Sequence, residues 1–214
     1  MENTIKKIEK EKIIVIVRGV ANEKLIPLGM AMYDGGIRLI ECTYDKSGVI
    51  SDEAVANGIR MLVNHFGDKM CIGAGTVLTE KQVELTKNAG GRFIISPDTN
   101  PPVIKRTKEL GLVSIPGALT PTEIAAASRL GADFVKIFPI GSMGSNYIKD
   151  VKAPLSNVKL LAVGGVDENN MKSYLDAGAC GIGIGSGIVK KKMLEENDFE
   201  QITALARLYT ERLK

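Results

Sequence analysis

Residues 13–19 read IIVIVRG, a short apolar run that ends in an arginine and a glycine. The run is too short for an ordinary helix and rich in β-branched residues, so it favours a buried strand. Seven similar runs follow at intervals of roughly 20 to 32 residues, the length of one βα unit. The eight predicted strands are Ile13–Val17, Arg38–Cys42, Met70–Gly73, Phe93–Ser96, Val113–Pro116, Phe134–Phe138, Lys159–Val163 and Gly181–Gly185.

The segments between the runs carry helix signals and no hairpin turn. Thr79–Gln82 and Thr120–Glu123 have the spacing of capping boxes, and Asn22 is placed to cap the helix after the first strand. Strands alternating with helices predict an α/β protein with a parallel sheet. Eight strands favour closure into a single (β/α)8 (TIM) barrel over residues 1–214, with an extra N-terminal helix. An open doubly wound sheet is the alternative.

The composition argues against several protein classes. The net charge is only +3 and there is no tryptophan, so the basic run Lys190–Lys192 is expected to be a solvated helix face rather than a nucleic-acid site. No apolar run is long enough for a membrane span, and the N-terminus lacks the pattern of a signal peptide. Cys42, Cys71 and Cys180 match no zinc spacing and are expected to be buried thiols, which indicates a cytoplasmic protein.

Lys136 is an unusual residue for the middle of a predicted strand. Because side chains alternate across a strand, Phe134, Lys136 and Phe138 share one face while Val135 and Ile137 share the other. The aliphatic face should meet the helices, which directs Lys136 into the barrel. Burial disfavours the charged form, so such a lysine is suited to be a nucleophilic amine.

Three further polar residues are predicted to converge on the same interior. Alternation directs Glu41 inward in the second strand and Arg18 inward after the first, and Thr76 has the parity of Ile72 and Ala74. Glu41 is the candidate general acid and base, because the one histidine, His65, is expected on the surface. With one histidine, neither a histidine-based triad nor a histidine-rich metal site is expected. A buried Lys–Glu pair without chemistry is the alternative.

Two glycine-rich turns lie where barrels often bind phosphate. One follows the seventh strand and the other closes the eighth, and loops at these positions can offer bare backbone N–H groups to an anion. Glycine permits close approach and a serine hydroxyl adds a donor. The predicted phosphate ligands are Gly164, Gly165, Gly185 and Ser186.

These residues resemble one known family, the 2-keto-3-deoxy-6-phosphogluconate (KDPG) and 4-hydroxy-2-oxoglutarate (KHG) aldolases. The resemblance runs from residue 13 to residue 186 through the motifs LIECT, IGAGTV, FIISP, IPGALTPTE, FVKIFP, VGGV and GIGIGS. It implies a class I aldolase, a carbon–carbon lyase that needs no metal and no cofactor. Such an enzyme cleaves KDPG, or 4-hydroxy-2-oxoglutarate, to pyruvate and an aldehyde such as glyceraldehyde 3-phosphate.

The resemblance also implies a role for each matching residue. Lys136 would form the Schiff base with the pyruvyl ketone, and Glu41 would shuttle protons. Thr76 and Arg18 would hold the pyruvyl carboxylate, while Phe138 would pack beside the imine. The family further implies a homotrimer whose partners are a small 2-keto acid and a phosphorylated aldehyde, with no nucleic acid and no membrane.

Two positions depart from the family pattern. Many members carry an arginine four residues after the glutamate, where this chain has Asp45 with Lys46 beside it. Lys46 or Arg18 could supply the missing charge. The family's Pro-Thr-Gly-Gly turn is replaced here by Ala162–Gly165.

Three other functions stay open. One is an aldolase specific for the galacto epimer of KDPG. Another is a phosphosugar isomerase or epimerase, in which Glu41 abstracts a proton and Lys136 acts only electrostatically. The last is a protein that binds phosphorylated metabolites without turning them over. Borohydride trapping with pyruvate separates the aldolases from the other two.

Overall fold

A computed structural model describes residues 1–213, which contain one sheet of nine strands. The recorded strand pairs are all parallel, in the order β5-β4-β3-β2-β1-β9-β8-β7-β6. Lys214 lies outside the described residues. The strands are β1 (Ile13–Val17), β2 (Leu39–Thr43), β3 (Cys71–Gly75), β4 (Phe93–Ile95), β5 (Val113–Ile115), β6 (Gly117–Ala118), β7 (Val135–Ile137), β8 (Leu160–Val163) and β9 (Gly181–Ile184).

The sheet closes because its two terminal strands, β5 and β6, follow one another directly in the chain. Only Pro116 separates β5, which pairs with β4, from β6, which pairs with β7. Proline has no N–H for a ladder, so the strand is divided there. The carbonyl of Pro116 still accepts a hydrogen bond from Lys136 N at 2.8 Å. The molecule is therefore a (β/α)8 barrel, and the short strand β6 was not predicted.

Helices cover the outside of the barrel. One helix precedes β1, one follows every later strand up to β8 except β5, which leads directly into β6, and one also follows β1; two helices follow β9. Within residues 1–213, no helix combines the length and the apolar character that a membrane span needs. The helices are α1 (Glu2–Glu11), α2 (Asn22–Asp34), α3 (Asp52–Phe66), α4 (Glu80–Asn88), α5 (Pro101–Glu109), α6 (Pro121–Arg129), α7 (Ser145–Lys152), α8 (Met171–Asp176), α9 (Lys191–Glu195) and α10 (Phe199–Glu211), with a 3₁₀ turn at Gly67–Lys69.

The predicted helix caps have different outcomes. Thr120–Glu123 forms both bonds of a capping box. At Thr79–Gln82 only the threonine bond is made, because the Gln82 side chain accepts from Leu78 N instead. The prediction for Asn22 is wrong: it is the first residue of α2, and its amide donates to the Ala54 carbonyl at 3.1 Å.

The strand faces divide the apolar residues into two cores. The outer core lies between strands and helices and holds, among others, Val15, Ile40, Ile72, Val135 and Ile137. The inner core fills the barrel below the carboxyl ends of the strands. It contains Ile8, Ile14, Leu39, Cys71, Phe93, Ile95, Val113, Ile115, Phe134, Leu161 and Val163.

The three cysteines are free thiols. Cys42 and Cys71 are buried, as predicted, but the prediction of burial is wrong for Cys180, which is partly exposed. Cys180 comes just before β9, where the strand has not yet entered the barrel wall.

Candidate active site

A cavity of about 660 Å³ opens where the barrel strands end. This volume lies within the range of roughly 300 to 1,000 Å³ that small-molecule sites occupy. Every residue predicted to bind or react lines it, so the structure brings the full predicted set together. These residues are Arg18, Glu41, Thr76, Lys136, Phe138, Gly164, Gly165, Gly185 and Ser186.

Lys136 lies in β7 and projects into this cavity with Phe134 packed below it in the inner core. The residue is only 8% exposed, and its Nζ lies 4.5 Å from the centre of the Phe138 ring. Burial lowers the pKa of Lys136; the Glu41 carboxylate opposes that shift and the Arg18 guanidinium adds to it. The predicted strand parity is confirmed, and a larger fraction of this amine is neutral than in a solvated lysine.

Glu41 enters the same cavity from β2 and is 3% exposed. Burial raises its pKa, while Lys136 and Arg18 act in the opposite direction. Among the described residues, no carboxylate lies within 4.0 Å of Lys136 Nζ, so the pair is not closed into a direct ion pair. An amine with a lowered pKa and a carboxyl with a raised pKa in one cavity can carry out covalent chemistry with proton transfer.

Gly75, at the end of β3, makes room for Glu41. A Cβ at this position would overlap the Glu41 carboxyl group. Of the residues in the IGAGTV motif, only the threonine was predicted to belong to the site. The register of β2 and β3 places Glu41 beside Gly73 and Thr43 beside Gly75, so strand pairing alone does not identify this glycine.

Thr76 reaches the cavity by a different route from the predicted one. The parity argument is wrong, because Ile72 and Ala74 face the helices in the outer core. Thr76 has φ of 52°, in the left-handed region, which breaks the alternation directly after β3. This conformation is rare for a β-branched residue, and such outliers concentrate at functional sites.

The turn after β8 is built on two consecutive glycines with positive φ. Gly164 has φ of 86° and Gly165 has φ of 81°, conformations that other residues rarely adopt. A Cβ on Gly164 would lie 3.0 Å from the Phe138 ring, and Gly141 N donates to the Gly164 carbonyl at 2.8 Å. The turn is therefore held against the segment that follows β7, on the side of the cavity next to Lys136.

The turn after β9 completes this side of the cavity. The carbonyl of Gly185 accepts hydrogen bonds from Ile188 N and Val189 N, and Ser186 is exposed. Gly187 also lines the cavity and was not predicted. Together the two turns offer glycine backbone and one hydroxyl to a ligand, which suits an anion.

Asp45, in the place of the frequent family arginine, is engaged by its own loop. Its carboxylate accepts from the Ser47 hydroxyl at 2.7 Å, from Ile50 N at 3.0 Å and from Ser47 N at 2.9 Å. These bonds, the hydroxyl first, lower the pKa of Asp45 to about 2. Lys46 is exposed and does not line the main cavity, whereas Arg18 does. Of the two cations considered for the missing charge, Arg18 has the appropriate position.

Other predicted surface residues lie away from the site. His65 and the run Lys190–Lys192 are exposed, as expected. Within residues 1–213, no three His, Cys, Asp or Glu side chains are grouped as they would be around a metal ion. Pro97 and Asp167 also line the cavity. Pro97 ends the FIISP motif, and Asp167 had no distinguishing motif.

Comparison with known proteins adds independent information. A family model described as KDPG and KHG aldolase matches residues 4–205. The 2-dehydro-3-deoxy-6-phosphogalactonate aldolase of Escherichia coli is 33% identical over 96% of this chain and 98% of its own length. The 2-dehydro-3-deoxy-phosphogluconate aldolase of Haemophilus influenzae is 31% identical over 96% of this chain and 94% of its own.

A solved structure carries the same fold and a trapped reaction intermediate. It is a KDPG aldolase from Legionella pneumophila with pyruvate captured as a covalent carbinolamine. It is 27% identical to this chain, with a TM-score of 0.83 over 92% of this chain and 93% of that one.

Proposed function

The chain belongs to the KDPG and KHG aldolase family, and on that premise we propose that it is a class I aldolase whose nucleophile is Lys136 and whose proton carrier is Glu41. The substrate is a phosphorylated 2-keto-3-deoxy sugar acid, or the related 4-hydroxy-2-oxoglutarate. The observation that carries this proposal is the burial of Lys136 and Glu41 in one cavity, with their pKa values moved in opposite directions.

The reaction begins at the ketone. Neutral Lys136 attacks C2 of the substrate to give a carbinolamine, and loss of water leaves a protonated imine. Glu41 then takes the proton of the C4 hydroxyl while the C3–C4 bond breaks, which releases the aldehyde. The electron pair of that bond enters the imine as an enamine. Protonation at C3 and hydrolysis release pyruvate and restore the lysine.

The remaining contacts divide between the two ends of the substrate. We assign the pyruvyl carboxylate to Arg18 and Thr76, and the face of the imine to Phe138. The phosphate is assigned to Gly164, Gly165, Gly185 and Ser186. The support is position: Arg18 and Thr76 follow β1 and β3, while the glycine turns follow β8 and β9.

Borohydride trapping tests the nucleophile directly. With pyruvate present, reduction should add a pyruvyl group to the peptide that contains Lys136, and mass spectrometry should find none in Lys136→Met. Lys159→Met is a matched control, because Lys159 also lies over an aromatic ring, 5.5 Å from the centre of Phe134, yet outside the cavity. Unmodified Lys136 at saturating pyruvate contradicts the proposal.

The preferred epimer is decided by a substrate panel. The relatives at 33% and 31% identity are named for the galactonate and gluconate acids. Pyruvate release, coupled to lactate dehydrogenase, should be measured with KDPG, its galacto epimer and 4-hydroxy-2-oxoglutarate. If the enzyme prefers the galacto epimer, that epimer replaces KDPG as the assigned substrate.

We also propose that residues 1–214 form one domain that assembles as a homotrimer in the cytoplasm and acts in sugar-acid breakdown of the Entner–Doudoroff type. The support is the family resemblance together with three free thiols, which are typical of a reducing compartment. Sedimentation equilibrium checks the assembly. A mass of one or two 23.0 kDa chains would contradict the trimer.

A further inference from the structure

Tyr209, in α10, lies in the outer core and contacts Glu168, which follows the turn after β8, and Gly187, in the turn after β9. The residue is fully buried, and its hydroxyl donates to Glu168 Oε2 at 2.9 Å. Glu168 belongs to the segment that follows Gly164 and Gly165. The same hydroxyl lies against Gly187, where a Cβ would overlap it. One phenol group thus links the segment that follows the β8 turn to Gly187 in the turn after β9.

Two hydrogen bonds of Asn170 connect the loop that contains Glu168 to Gly165. Asp167 N donates to Asn170 Oδ1 at 2.8 Å, and Asn170 Nδ2 donates to the Gly165 carbonyl at 2.9 Å. Arg212, which follows α10, donates to the carbonyl of Glu168. The loop is therefore tied to the glycine turn at one end and to α10 at the other.

The hydroxyl of Tyr209 is specifically required by this arrangement. A buried hydroxyl needs a partner, and the bond to a carboxylate is stronger than one between neutral groups. Burial raises the pKa of Tyr209 and the Glu168 carboxylate raises it further, so the phenol keeps the proton that it donates. Phenylalanine would fill the same space without joining the two turns.

We propose that Tyr209 is a positioning residue that sets the spacing of the two turns for one phosphate group. This inference rests on the proposed binding of a phosphate there. N–H donors must lie about 2.7 to 3.2 Å from the phosphate oxygens, so a shift of either turn weakens several bonds together. The pyruvyl end, which depends on Arg18 and Thr76, does not depend on this contact.

Calorimetry with glycerol 3-phosphate tests the inference without turnover. In Tyr209→Phe the Kd should rise about tenfold, the effect of losing one hydrogen bond to a charged group. The pyruvate concentration that half-saturates trapping at Lys136 should change less than about twofold, because the C2 end is untouched. A purely structural role would weaken both ligands alike.

Four further variants make the result specific. Tyr174→Phe removes the hydroxyl of another largely buried tyrosine, one that is not hydrogen-bonded to any group within residues 1–213, and should leave the Kd of glycerol 3-phosphate unchanged. Glu168→Gln keeps an acceptor for Tyr209 and should stay near wild type. Glu168→Ala should match Tyr209→Phe, and the double variant should be no worse than either single one.

The outcomes separate this inference from the proposed function. An unchanged Kd in Tyr209→Phe, an equal loss in Tyr174→Phe, or additive losses in the double variant would overturn the positioning role. A wild-type protein that binds no glycerol 3-phosphate would overturn it as well. Absence of trapping at Lys136 would instead remove the imine chemistry and leave the calorimetric result on Tyr209 in force.

Discussion

Lys136 and Glu41 are each unfavourable to bury in their charged forms, and each relieves part of the other's cost. Desolvation is the largest effect on both pKa values, and their mutual attraction opposes it in both cases. Arg18 acts on the two groups in opposite senses, because it repels the ammonium and attracts the carboxylate. The fraction of Lys136 that is protonated should therefore change when either Glu41 or Arg18 is replaced.

The titration of Lys136 provides a test with a defined sign. We expect the Cε resonance of ¹³C-labelled Lys136 to titrate below the value of about 10.4 that a solvated lysine shows. Below its midpoint the amine is protonated and cannot attack; imine formation becomes faster as the pH rises through the midpoint. Glu41→Gln removes an attracting anion and should lower the midpoint, while Arg18→Gln removes a repelling cation and should raise it. Shifts of the same sign in both variants would contradict this electrostatic account.

Glu41→Gln should also separate binding from proton transfer. The amide keeps the size of the side chain but cannot accept the proton of the C4 hydroxyl. We expect kcat to fall by about a hundredfold or more, the range of general acid–base catalysis. The binding of pyruvate should be retained. Glu53→Gln, which changes an exposed carboxylate, is the control. Full turnover by Glu41→Gln would remove Glu41 from its assigned role.

Individual site residues were predictable where strand alternation holds. Lys136 and Glu41 followed from parity, because β7 and β2 are regular through those positions. Thr76 lines the cavity although its parity was misjudged, since a left-handed φ is not visible in a strand pattern. Gly75 was overlooked because its role depends on the neighbouring strand, and a single sequence does not state which side chain a glycine must accommodate.

The strand β3 allows a prediction that compares two of its glycines. Gly75→Ala should displace the Glu41 carboxyl, the end of an unbranched side chain that borders the cavity, so we expect lower kcat with nearly unchanged stability. Gly73→Ala would push into the Phe93 ring, which is fully buried in the inner core. Overpacking of this kind costs roughly 1 to 3 kcal/mol. Kinetics and urea unfolding of both variants check the contrast, and equal losses of stability would refute it.

The boundaries of the strands were harder to predict than their existence. The fifth predicted strand, Val113–Pro116, ends at Ile115, and beyond Pro116 the unpredicted strand Gly117–Ala118 pairs with β7. The sequence contains the proline that ends β5. The strand beyond it forms only because closure of the whole sheet brings β7 alongside. Capping at Asn22 failed for a similar reason, because α3 offers its amide a tertiary partner.

The barrel separates stability from chemistry along its axis. Its carboxyl end carries the cavity, and its other end is closed by α1, whose Ile8 is fully buried in the inner core. Closure itself was predictable from eight regularly spaced strands. The packing of α1 across the amino end was not, because a short amphipathic helix has no pattern that names the surface it will cover.

Ile8→Ala tests this division of the molecule. Removal of a fully buried aliphatic side chain leaves a cavity and should lower the free energy of unfolding by about 2 to 5 kcal/mol. Ile5→Ala, at a partly buried position of the same helix, should lower it less. Because α1 lies at the opposite end from Lys136, trapping with pyruvate should be unchanged in the folded variant. Urea unfolding measures the first effect and borohydride labelling the second. Impaired labelling in a stably folded Ile8→Ala would show that the inner core transmits packing changes to the site, and that stability and chemistry are coupled along the barrel.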